Sequence, residues 1–118
     1  MTKLFVHAKL LIDGISATPK LNQLISIEDY HEIQEDVIEV NTITPGFFNC
    51  HVHILYPVGF DSKKEFSLIE KIFYAQKHCK DYLESGVTFI RVVGTEENYD
   101  LQIKEAIQND VIQGPHMY

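Results

Sequence analysis

TPGFFNCHVHI, residues Thr44 to Ile54, changes the character of the chain within a few positions. Pro45-Gly46 is a turn signal. Behind it FFNCHVHIL (Phe47 to Leu55) is a nearly continuous apolar run, as expected of a strand buried on both faces. Residues i and i+2 of a strand share a face, so His51 and His53 project side by side. Two neutral imidazoles so placed can converge on one divalent cation. The spacing also suits two hydrogen-bonded histidines near a strand end, which is the commoner case for an H-x-H taken alone, so its setting matters more than the pair itself.

The downstream chain supplies a setting. Tyr56 to Asp61, with Pro57 and Gly59, reads as a loop. Ser62-Lys63-Lys64-Glu65 has the S-x-x-E spacing of a capping box, which predicts a helix start. Leu68, Ile72, Ala75, Cys79, Tyr82 and Leu83 then recur at spacings of three and four, one apolar stripe on a helix of about six turns. Gly86 provides a left-handed helix terminus. GVTFIRVVG (Gly86 to Gly94) is a second buried strand. Asp100 is placed to cap a second helix with Ile103, Ala106, Ile107 and Val111 on its apolar side. Gly114-Pro115 breaks that helix ahead of a further extended segment. The order β-α-β-α is the building unit of parallel α/β folds.

Upstream, KLFVHAKLLID (Lys3 to Asp13) and QLISIED (Gln23 to Asp29) read as strands joined across Asp13-Gly14 and Thr18-Pro19. DYHEIQE (Asp29 to Glu35) and DVIEVNTI (Asp36 to Ile43) read as two more, giving a small β-meander, one layer of a sandwich. The expected fold is therefore α/β: a β-rich N-terminal domain over residues 1–45, then over 46–118 the first two β/α units of an incomplete TIM-type barrel. An eight-stranded barrel takes about 250 residues, and the chain has 118.

Bulk composition excludes several functions. The net charge is −7, from 17 acidic and 10 basic residues, and without a basic stripe this argues against nucleic acid. No window approaches the run of about 20 apolar residues that a membrane helix needs, and the N-terminus lacks a signal-peptide pattern. Cys50 and Cys79 form no framework and read as free thiols of a reducing, cytoplasmic compartment. By strand alternation Cys50 faces away from His51 and His53 and packs as a small hydrophobe. His7, His31, His78 and His116 have no ligand spacing to one another and read as structural or surface residues, with His78 on the polar side of its helix. Phe66, Phe73 and Tyr74 fall at helical spacing and read as core or interface.

TPGFFNCHVHI resembles the PG-hydrophobic-hydrophobic-D-x-H-x-H segment of the metal-dependent amidohydrolase superfamily. LLIDGISATP looks like the opening of that family's N-terminal β-domain. YLESGVTFIRVVG and DLQIKEAIQNDVIQGPHM are similar to the L-x-x-GVTTVRDVGG and GPR segments of the branch containing imidazolonepropionase-like and Xaa-Pro dipeptidase-like enzymes. Four motifs in the right order are specific together. The chain departs from the pattern at Asn49, commonly aspartate, at Val92, which replaces the aspartate after Arg91, and at His116, which replaces the arginine of GPR.

The resemblance implies a (β/α)8 barrel holding one or two divalent metals, zinc first, with His51 and His53 as two ligands. It also implies further ligands on later strands: a lysine or glutamate, two histidines, and an aspartate that handles the proton of the attacking water. The chain offers no residue for those positions. No catalytic residue is therefore assigned within it, and the chain alone is expected to be inactive, with small-molecule substrates belonging to a full-length relative. Two rival expectations stand beside this one. A half barrel exposes an apolar face and strand edges, which favours a self-associating, non-catalytic homo-oligomer. A vestigial metal module would instead bring His51 and His53 of two subunits together.

Overall fold

The structure, a computed structural model, describes residues 3–28 and 37–118. Its backbone forms two compact units, Met1–Pro45 and Gly46–Tyr118.

In the first unit β1 (Lys3–Leu11) and β2 (Lys20–Glu28) form an antiparallel hairpin, with Val6 opposite Ile25. Alternate residues Leu4, Val6 and Ala8 are buried, as the period of a strand requires. The connection is set by Asp13. Its carboxylate accepts from the amides of Ile15 and Ser16 at 2.9 and 2.7 Å and pairs with Lys20 at 2.8 Å. These partners, Lys20 foremost, hold the carboxyl well below the usual carboxylate range.

β3 (Ile38–Ile43) then corrects the expected meander. It lies parallel to β1, Val6 opposite Ile38, so the sheet order is β2-β1-β3. The free edge of β1 takes the third strand, sealed by Ile12 N–H donating to Ile43 O at 2.9 Å. His7 and Glu39, opposite each other in that register, bond at 2.7 Å, so His7 is structural as expected. The strand expected over Asp29 to Glu35, with His31, lies outside the described residues.

In the second unit β4 (Phe47–Val52), β5 (Val87–Val92) and β6 (His116–Met117) form a parallel sheet in the order β4-β5-β6. Helix α1 (Leu68–Glu84) joins the first two strands and α2 (Tyr99–Gln108) the last two. These are the expected β/α units, with a third strand begun at His116. The core is one cluster: Val52, Ile54, Ile90, Val92 and Met117 from the strand side, Ala75, Cys79 and Ile103 from the helices. Both helices therefore cover the same face. That corrects the reading of β4 as buried on both sides: Phe47 and Phe48 are 60% and 70% exposed. The uncovered face carries Phe48, Phe89 and His116 in one row, each stacked on the next at 4.7 and 5.3 Å.

Helix α1 starts later than expected. The operative capping box is Ser67 to Glu70, with Ser67 Oγ accepting from Glu70 N at 3.3 Å and Glu70 Oε2 accepting from Ser67 N at 2.9 Å. Ser62 instead lies in a turn in which Asp61 accepts from Lys63 and Lys64. At 17 residues the helix has fewer than five turns. Ala75 and Cys79 are buried with Tyr82 beside them, whereas Leu68, Ile72 and Leu83 are exposed. Of the aromatics read as core or interface, Phe66 is buried, Tyr74 half-buried and Phe73 exposed. Gly86 ends the helix at φ +84° as expected. In α2, Asp100 sits in the first turn rather than at the cap, its amide donating to Thr95 Oγ1 at 3.0 Å, and Val111 is exposed. No helix among the described residues is long and apolar enough to cross a membrane.

Candidate metal centre

β4 runs out at Val52, which is buried, and the residues on either side of it, His51 and His53, are exposed. Alternation about a buried valine thus puts both imidazoles on the open face of the sheet, at the C-terminal end of its first strand. Their ring centroids are 5.5 Å apart, at 73° to each other. Two imidazoles bound to one tetrahedral ion have centroids on the order of 5 Å apart, given nitrogen–zinc bonds of about 2 Å. The centroid separation of the pair is close to that value. Among the described residues no group of three or more His, Cys, Asp or Glu is arranged to hold a metal, and two imidazoles are fewer than the three protein ligands that catalytic zinc sites use.

Beyond His53 the chain turns into a hollow of about 260 Å³, lined by His53–Tyr56 on one side and Gly94–Glu96 on the other. Two fastenings hold this segment. His78 Nδ1–H donates to Ile54 O at 2.9 Å from α1, and that half-buried position corrects its reading as a polar-face residue. The second fastening is at Glu96, whose carboxylate accepts from Lys71 Nζ at 2.6 Å and from the Tyr56 hydroxyl. Lys71 Nζ also lies over the Tyr56 ring, 5.4 Å from its centroid. Sequence reasoning missed this brace. Its members are 25 and 40 positions apart, and no local spacing marks them.

Cys50 is exposed, which overturns its reading as a packed residue, because β4 is irregular between Asn49 and Val52. Cys79 is fully buried, and burial pushes its thiol up to about 11. That is the environment of an inert structural thiol. His116 stacks on Phe89, and His7 bonds to Glu39 within the first unit.

Parallel β/α units with their helices on one face define a protein of the barrel α/β class. Residues 42–118 match the Amidohydrolase family, and the chain belongs to it. Among solved structures, a Xaa-Pro dipeptidase with methionine bound in its active site aligns over 99% of this chain and 32% of its own, with a TM-score of 0.76 and 24% identity. Ochratoxinase of A. niger aligns over 99% and 30%, at 0.74 and 21%. Molinate hydrolase aligns over 99% and 29%, at 0.65 and 18%. At such identities the likeness is one of fold. The chain spans less than a third of the length of these proteins. No curated protein matches it.

Proposed function

We propose that His51 and His53 are two ligands of a divalent cation, zinc first, in a hydrolase that cleaves amide or cyclic-amide C–N bonds. The observation that carries this is the 5.5 Å separation of two exposed imidazoles, at the strand end where barrel enzymes build their sites. When bound, such a cation would supply Lewis-acid chemistry at the carbonyl and at water, with His51 and His53 as the residues of this chain that would hold it. The residues of this chain hold the cation and keep its ligands in place through Ile54 and Tyr56. Two imidazoles are one ligand short, so the 118-residue chain binds zinc weakly and does not turn over an Xaa-Pro dipeptide by itself. Zinc titration by calorimetry tests the ligand assignment: wild type binds, and a His51→Ala, His53→Ala double variant does not. Equal binding by both ends the assignment, and dipeptide turnover by the zinc-loaded chain ends the claim of inactivity.

A second reading, self-association of this chain, is favoured by the uncovered row of Phe48, Phe89 and His116. Both cysteines are free thiols, which supports a reducing, cytoplasmic setting.

A further inference from the structure

A regular strand laid on two helices turns every second residue toward them. β4 departs from that rule at two places: between Phe47 and Phe48, where one step along β4 matches two along β5, and between Asn49 and Val52. Asn49 sits opposite Ile90 and Val52 opposite Val92, so three steps along β4 match two along β5. Ile90, Val92 and Val52 are all buried on the helix side, and Asn49 is half-buried in the row of Ile90. Cys50 and His51 together oppose the one residue between Ile90 and Val92, which is the arrangement of a β-bulge. They are consecutive and both exposed, an outcome that a regular strand with one covered face does not permit. Strict alternation from Asn49 would send His51 and His53 toward the helices. The extra residue reverses the parity and sends them to the open face.

A bulge removes a backbone group from the ladder, and that group needs another partner. Here the Asn49 side chain provides one: its Oδ1 accepts from the His51 amide at 3.3 Å. We propose that Asn49 is a positioning residue for the histidine pair: its side-chain oxygen replaces the lost ladder acceptor, holds the bulge, and turns His51 and His53 outward together. The purpose of that placement rests on the reading of the pair as metal ligands, whereas the bulge itself does not. Aspartate offers an equivalent oxygen acceptor at the same reach, and alanine offers none.

Two chemical probes and one exchange measurement test this without metal. In the wild-type chain Cys50 reacts quickly with a disulfide reagent while buried Cys79 stays silent, and His51 is readily carbethoxylated. Either regular register buries one of the two, so Asn49→Ala slows Cys50 or His51 by about tenfold, the usual scale for one lost hydrogen bond. Asn49→Asp keeps both at wild-type rates. A folded Asn49→Ala chain in which both react as in wild type overturns the proposal, as does an Asn49→Asp chain as slow as the alanine variant. Should alanine unfold the chain and expose Cys79, hydrogen exchange of the wild-type His51 amide decides. Slowing of about tenfold or more against an unstructured peptide supports the bond, and exchange at the unstructured rate overturns it. A wild-type chain that binds no zinc removes the metal reading and leaves the bulge result standing.

Discussion

At Gly46 a Cβ would lie 2.0 Å from Thr88 Oγ1 and 2.7 Å from Thr88 Cβ, so only glycine lets β4 begin this close to β5. The Pro-Gly signal was legible as a turn, but the demand on Gly46 comes from a residue on another strand. Cys79 shows the same division: its place on a helical stripe was readable, its burial to 0% exposure only from the packed core. That burial carries a pH effect. The folded thiol titrates near 11 against an ordinary 9.0, so between those values the unfolded chain loses a proton that the folded chain keeps. By linkage, stability is unaffected by this group below pH 9 and falls as pH rises toward 11. Urea unfolding from pH 8 to 11 is expected to show that decline, and Cys79→Ala to reduce it. Tyr82, pushed up by burial and then by Cys79, leaves a remainder. An unchanged slope in the variant would assign the loss to other groups.

Two S-x-x-E boxes lie five positions apart at the start of α1, and local chemistry cannot rank them. Tertiary packing does. Phe66, just before the second box, is buried edge-on against Tyr56 and Tyr74 at 5.6 and 5.8 Å. Starting the helix after it lets the loop from β4 fold Tyr56 and Phe60 onto the same cluster. The Ser67 amide and hydroxyl then hold the Glu70 carboxyl below its ordinary value. Ser67→Ala is expected to lower stability by about 1 kcal/mol, and Ser62→Ala by less than about 0.5 kcal/mol. Urea midpoints followed by circular dichroism would show the ranking, and the reverse order would restore the earlier helix start. The helix itself, its glycine terminus and the strand after it were legible because they depend on residues close in sequence. Its buried side was not, because Leu68 and Ile72 satisfy the helical period yet meet no partner.

Across the whole second unit, a three-stranded parallel sheet is covered by helices on one side only, although such sheets are normally covered on both. The row of Phe48, Phe89 and His116 on the other side is the surface through which self-association would act. Sedimentation at rising concentration is expected to show it, with Phe48→Lys shifting the chain toward monomer because a charge in a buried apolar contact is costly. Wild type sedimenting as a monomer throughout would remove this reading. The amino-acid order alone was enough to specify the β/α alternation, the α/β class and the family, since these rest on local periodicity and on motifs read in sequence. It also placed His51 and His53 as a pair. Only the tertiary structure decided that β3 joins β1 in parallel, that Cys50 faces solvent, and that the histidines face away from the helices. Each of those outcomes depends on strand register, and register is settled by partners distant in sequence rather than by the residues of the strand itself.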